Sequence, residues 1–250
     1  LEAFRHNVRT LSTLIAPSRT MLAVKANAYG HGIVPLAWAA LESGADSLAV
    51  LDIDAALELR RAGVTAQLFA WLLAADSDYA TAIESEVDLG GSTLAQLEAS
   101  SAAFRGKPAR VHLKIDTGLH RNGANPEDWP ALVSAAVKAE VGGRITVVAL
   151  WSHLADASPE DDAEAFERFR EAAAVAASLG CTPPLLHLAA SSAGIRMPKA
   201  RLGLVRFGIA AYGISPFDDQ SGADLGLRPV MTMRAQVVAV TDGVATIPIG

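Results

Sequence analysis

The sequence predicts an α/β chain: a (β/α)8 TIM barrel followed by the first strands of a separate all-β domain. Short β-rich runs alternate with longer helical patterns over about eight units, and 250 residues is the size typical of such a barrel. The tail then changes character, with two alternating strands and no helical pattern between them. A doubly wound open sheet uses the same alternation. However, no GxGxxG fingerprint follows the first strand, which weakens that alternative.

In chain order, residues 1–14 have helical periodicity, and strands are expected at 20–26, 47–51, 67–72, 87–91, 110–116, 145–153, 185–191 and 202–209. Ala- and Leu-rich stretches at 33–42, 53–62, 93–103, 126–140 and 159–179 have the spacing of helices. Ser92 or Thr93, Asn125-Pro126 and Ser158-Pro159 are start signals for three of them. Residues 231–240 and 244–249 alternate as strands around the turn Thr241-Asp242-Gly243. The expected division is a barrel over 1–225 and the opening of a β domain over 226–250. A lone hairpin is marginal in water, and the sequence starts at Leu1 inside a helical pattern. It therefore reads as cut at both ends, with more chain expected beyond Gly250.

Composition narrows the function. With 51% hydrophobic and 19% charged residues, the chain can fill a core and is neither disordered nor fibrous. A net charge of −6 argues against a nucleic-acid or anionic-membrane partner, which would need a basic face. No apolar run approaches the ~20 residues of a membrane span, and a single cysteine, Cys181, fits a reducing cytoplasmic setting.

The chemistry-bearing residues fall where a barrel builds its active site. Lys25 ends the first strand pattern in Met21-Leu22-Ala23-Val24-Lys25. An ammonium drawn into apolar surroundings loses its proton more readily and becomes a nucleophile or base; a head group that snorkels to the rim is the alternative. The next residues, Ala26-Asn27-Ala28-Tyr29-Gly30-His31-Gly32, form a small polar loop able to bring a hydroxyl and amides toward an anion. On the fifth strand, His112, Lys114 and Asp116 share the parity of an inward face, and Arg121 lies just beyond. His153 sits at the end of the sixth strand pattern. His187, Ala189 and Ser191 share one face of the seventh. In the eighth, Arg206 precedes Gly208-Ile209, at the place where barrels cradle phosphate with backbone amides. The pairs Asp52/Asp54 and Asp161/Asp162 read as helix-start charges rather than catalytic acids.

Five of these segments, in order, resemble the motifs of alanine racemases. They are the Lys25–Gly32 octapeptide, Lys114-Ile115-Asp116-Thr117-Gly118 with Arg121, Ser152-His153, His187–Ser191 and Val205-Arg206-Phe207-Gly208-Ile209 with Tyr212-Gly213. The resemblance implies a barrel that binds pyridoxal 5′-phosphate and interconverts L- and D-alanine for cell-wall synthesis. Lys25 would carry the cofactor as a Schiff base and act as base on one face of the substrate. Tyr29, Ser191, Gly208 and Ile209 would hold the phosphate. Arg206 would donate to the pyridine nitrogen, His153 would pack on the ring, and Arg121 would lie near the substrate carboxylate. Lys114 would be carbamylated, as in many members, or would remain an ordinary lysine in an ion network.

Two positions depart from the family pattern: His120 stands where Gly or Asn is common, and Ala190 where Asn is usual. A homodimer is also implied, in which a tyrosine of the partner's β domain supplies the second base. Ile247-Pro248-Ile249-Gly250 resembles the stretch before that tyrosine, so efficient two-base racemisation is not expected from these 250 residues. Other readings stay open: a racemase of broader range, another pyridoxal-phosphate enzyme of the same fold type, and a non-catalytic cofactor-binding barrel.

Overall fold

A computed structural model describes residues 1–74 and 76–247. Eight parallel strands form the sheet: β1 (Arg19–Ala23), β2 (Ser47–Val50), β3 (Gln67–Ala70), β4 (Val87–Gly91), β5 (Ala109–Lys114), β6 (Ile145–Trp151), β7 (Leu185–His187) and β8 (Leu204–Phe207). Strands β1 to β7 neighbour one another in sequence order, and β8 returns to pair with β1. The remaining seam, between β7 and β8, is bridged by two backbone hydrogen bonds. Gly203 N–H donates to Leu186 O at 3.2 Å, and Arg206 N–H donates to Ala189 O at 3.0 Å. These close the barrel.

Hydrophobic alternation explains the two cores. Leu22, Leu48, Leu68, Leu89, Val111 and Leu113 face outward against the helices in one large apolar cluster. Met21, Ala49, Phe69, Leu185 and Leu204 face inward with Ala149 and Trp151 in a smaller one. On β6 the parity changes. Val111 aligns with Val147 but His112 aligns with Ala149, so Val148 is an extra residue that forms a β-bulge. Ile145 and Val147 therefore pack outward, whereas Ala149 and Trp151 turn into the barrel. An unbroken period of two would have put Trp151 on the outside.

Helix starts follow local side-chain chemistry. Asp52, Asp78, Thr93 and Ser158 each accept a hydrogen bond from an amide three residues on. The helix between β5 and β6 begins later than expected. Asn125 O accepts the amides of Asp128 and Trp129, and the helix itself spans Trp129–Val141 rather than starting at Pro126. Tyr79–Glu84 is a short helix that the periodicity missed, since six residues give barely a turn and a half.

Among the described residues no helix is long and apolar enough to cross a membrane. The tail pairs as expected in type but not in length. Strands β9 (Ala239–Thr241) and β10 (Val244–Thr246) form an antiparallel hairpin about Asp242-Gly243. Residues 231–238 are not in a strand, and their side chains are exposed with no sheet to pack against. Pro248-Ile249-Gly250, which carries most of the stretch taken to precede a second catalytic base, lies outside the described residues.

Candidate active site

Most of the motif residues converge at the carboxyl ends of the strands, around a cavity of about 580 Å³. Its wall includes Lys25, Tyr29, Arg121, His153, Ser191, Arg206, Gly208 and Ile209. Three cations and one carboxylate, Asp156, line it in a chain whose net charge is −6. Such a pocket attracts anions.

Lys25 lies just past β1 and opens a turn rather than ending the strand. Ala26, Asn27, Ala28 and Tyr29 all have φ between 50° and 54°, a left-handed turn made of non-glycine residues. That conformation costs roughly 1–2 kcal/mol per residue, so its bonds must hold it. Ala28 N–H donates to Val24 O and Gly30 N–H to Ala26 O, both at 2.9 Å. The Asn27 carboxamide oxygen accepts Ile33 N–H at 2.7 Å, tying the turn to the next helix. His31 helps from behind, with Nδ1 3.1 Å from Ala28 O and 3.0 Å from Tyr29 O. Tyr29 leans on Tyr212, ring centroids 4.4 Å apart, and burial raises its pKa, so its hydroxyl stays protonated. A Cβ built on Gly208 would come within 2.5 Å of the Tyr29 oxygen, so only glycine leaves that approach open.

Ser191 is not a strand residue. Strand β7 stops at His187, and Ser191 begins the short helix Ser191–Arg196. Its Oγ accepts the amides of Gly208 (3.2 Å) and Ala210 (3.4 Å), which places the hydroxyl at the lip of the turn after β8. Ala190 stands as the helix N-cap and offers no side-chain bond.

The deeply buried lysine is Lys114, whereas Lys25 is half-buried. Lys114 Nζ lies 4.4 Å from a ring centre of Trp151 and donates to the Asn122 carboxamide oxygen. Burial, with the nearby charges of Arg206 and Arg121, lowers its pKa to about 7. The unfolded chain holds this proton up to about pH 10.5 and the folded chain releases it near 7, so folding gains stability as pH rises between them. In carbonate-free buffer, wild type minus Lys114→Met is therefore expected to grow more favourable by roughly a few kcal/mol from pH 6 to 10, read by urea denaturation.

Asp116, expected beside Lys114 inside the barrel, lies beyond the strand. Its carboxylate accepts the amides of Gly118 and His120 and meets His120 Nδ1 at 3.0 Å. His120 has φ 55°, the region easiest for Gly and Asn, and its ring points to solvent. It takes no part in the pocket.

Arg206 is the polar centre. Its Nη1 donates to His187 Nδ1 at 2.7 Å, and Nη2 donates to Ser152 O and Leu188 O at 2.7 Å and to His153 Nδ1 at 3.2 Å. Burial and the charge of Arg121 pull its pKa down to about 9, still protonated at neutral pH. Burial and the cations Arg206, Arg121, Lys114 and Lys25 push His153 down to about 2, so its imidazole is neutral. Behind Arg206, His187 Nε2 lies 2.9 Å from His112 Nδ1, and His112 Nε2 lies 3.0 Å from Asp88 Oδ2.

Sequence reasoning missed Asp88, Asn122 and the structural use of His187. Asp88 had one visible signal, a lone carboxylate in the apolar run of β4. Burial alone would raise its pKa, but bonds from His112 and Arg110 outweigh that and hold it below the usual carboxylate range.

Fold and pocket together define a parallel barrel with a cation-lined cavity at its carboxyl-terminal rim. Residues 1–216 match the family described as alanine racemase, N-terminal domain, and the chain belongs to that family. It is 46% identical over 244 residues to the alanine racemase of Salinispora arenicola, covering 95% of this chain and 64% of that protein. It is 44% identical over 239 residues to that of Frankia casuarinae, covering 93% and 62%. Among solved structures, alanine racemase from D-cycloserine-producing Streptomyces lavendulae superposes with TM-score 0.89 at 41% identity, over 91% of this chain and 61% of that one. The chain thus spans somewhat less than two thirds of these relatives' length.

Proposed function

We propose that this chain forms the cofactor-bearing barrel of a pyridoxal-phosphate-dependent alanine racemase. The observation that carries the reading is the cation-lined pocket of Lys25, Arg121 and Arg206, set against a chain of net charge −6. The donor set fits the cofactor. A primary amine faces one side of the pocket; Tyr29, Ser191 and the glycine turn at Gly208-Ile209 offer hydroxyls and amides suited to a phosphate. Arg206 and a neutral His153 line the same pocket.

When bound, pyridoxal phosphate supplies an electron sink that acidifies the Cα–H of an amino acid joined to it. Lys25 Nζ would make the covalent attachment and carry the proton on one face. Tyr29 and Ser191 would anchor the phosphate end. Arg206 can only donate and keeps its proton at neutral pH, so it would temper electron withdrawal at the ring nitrogen and disfavour side reactions. His153, uncharged, would pack on the ring without adding a like charge beside Arg206. Arg121 is left to meet the substrate carboxylate.

Lys114 is proposed to be carbamylated. A lysine with pKa about 7 offers a neutral amine to CO2, and the resulting anion would relieve its repulsion from Arg121 and Arg206. A carbamate resonance under 13C-bicarbonate, lost in Lys114→Met, is the expected result. Gly208→Ala is expected to push the Tyr29 hydroxyl aside and weaken pyridoxal phosphate binding about tenfold, one charge-assisted hydrogen bond's worth. Fluorescence titration checks it.

Alanine as substrate, a homodimer that completes the site, and a cytoplasmic setting are proposed on the family's account, as is a β domain opening at residue 226. The test is interconversion of L- and D-alanine with pyridoxal phosphate, followed by chiral chromatography. Cofactor binding with no interconversion of either enantiomer, even in a longer chain carrying the β domain, would favour a non-catalytic carrier.

A further inference from the structure

A single file of polar side chains runs down the inside of the barrel from the pocket toward its opposite end. It comprises Arg206, His187, His112 and Asp88, linked at 2.7, 2.9 and 3.0 Å. Arg110 closes the file beyond Asp88, with Nε 2.5 Å from Oδ1, and Gln67 Nε2 donates to Oδ2 at 2.6 Å. The file is jacketed by aromatic rings. Phe69 stacks on His112 with centroids 4.1 Å apart, and Trp151 stacks on His187 at 5.6 Å.

The two ends fix what the middle can do. Arg206 has donors and no acceptor, and an ionised Asp88 has acceptors and no donor. His187 must then receive Arg206 on Nδ1 and carry its proton on Nε2. His112 must receive that proton's bond on Nδ1 and give its own, from Nε2, to Asp88. Only one proton arrangement satisfies all three links, and both imidazoles are neutral in it. Reversing either ring sets two donors, or two bare acceptors, face to face in a dry interior, where unpaired polar groups are strongly disfavoured.

We propose that Asp88 and His112 are positioning residues: through His187 they lock the rotamer and donor direction of Arg206, and so fix which of its N–H groups remain for a ligand in the pocket. The consequence for a cofactor nitrogen rests on the function proposed above; the hydrogen-bond order does not.

Two-bond 1H–15N spectra of histidine-labelled protein at pH 7, without cofactor, report which ring nitrogen is protonated. His112 and His187 are both expected as neutral Nε2–H forms. His112→Phe keeps the stack on Phe69 but offers no acceptor, and is expected to shift His187 out of its single form. His112→Asn, whose carboxamide oxygen can take the place of Nδ1, is expected to restore it. In pyridoxal-phosphate-loaded samples the long-wavelength absorbance band should follow the same order: shifted in His112→Phe, near wild type in His112→Asn.

An Nδ1–H form or an imidazolium at either position in wild type overturns the proposal, and so does an unchanged His187 signal in His112→Phe. If the variants do not fold, the wild-type assignment decides alone. Expected tautomers in a protein that develops no cofactor band would sink the functional reading and leave the file standing.

Discussion

In a longer chain carrying the β domain, Lys25→Ala is expected to lower racemisation by at least ~10³-fold and to remove the covalent cofactor adduct altogether. Both losses come from one nitrogen. In the proposed function the amine is both the attachment point and the proton carrier on its face, and a positioned proton-transfer group alone contributes ~10²–10⁴-fold. The fold should hardly notice. Lys25 is half-buried at the pocket wall, and the left-handed turn it opens is held by backbone bonds and Asn27, not by the lysine head. The variant is therefore expected to melt within a few degrees of wild type while losing its cofactor absorbance. Added methylamine offers the missing amine in solution, so partial recovery of turnover with rising methylamine is the expected signature. A variant that keeps both its adduct and its rate would mean that another lysine does the work.

Arg206→Gln is expected to damage stability and activity together. The guanidinium serves four acceptors: His187 Nδ1, His153 Nδ1, Ser152 O and Leu188 O. A glutamine amide can serve two at most, leaving buried acceptors unpaired at ~1–3 kcal/mol each. A net loss of roughly 3–5 kcal/mol is expected, which for a domain of this size lowers the melting temperature by about 6–20 °C. Arg206→Lys keeps the charge but not the planar fork and should recover only part of it. Thermal melts of the cofactor-free proteins measure this without reference to catalysis. A Gln variant as stable as wild type would show that the four bonds are worth little.

These expectations separate what was legible in the sequence from what was not. The barrel was legible because alternation of strand and helix periods recurs at the right length, and because outward positions such as Leu22, Leu48 and Leu113 keep a strict period of two. Lys25, Tyr29, Arg121, His153, Ser191 and Arg206 were legible because each sits in a local motif at or just beyond a strand pattern. The bulge at Val148 was not: three consecutive apolar residues, Val147-Val148-Ala149, suit either parity, and only pairing with β5 decides which one is spare. The left-handed turn at 26–29 hides for a related reason, since Ala and Tyr carry no local preference for positive φ and tertiary bonds impose it. Nor could spacing join Asp88 to His112 or His112 to His187. Those partners are 24 and 75 residues apart and meet only when the barrel closes. Asp116 failed in the opposite sense: its parity pointed inward, but the strand ended at Lys114, before reaching it.

The most direct test of the central claim is borohydride reduction of the protein with pyridoxal phosphate, followed by digestion and peptide mapping. A single pyridoxyl-modified peptide bearing the label on Lys25 is the predicted result. Label on Lys114 or on surface lysines such as Lys107 and Lys138, with Lys25 untouched, would contradict it.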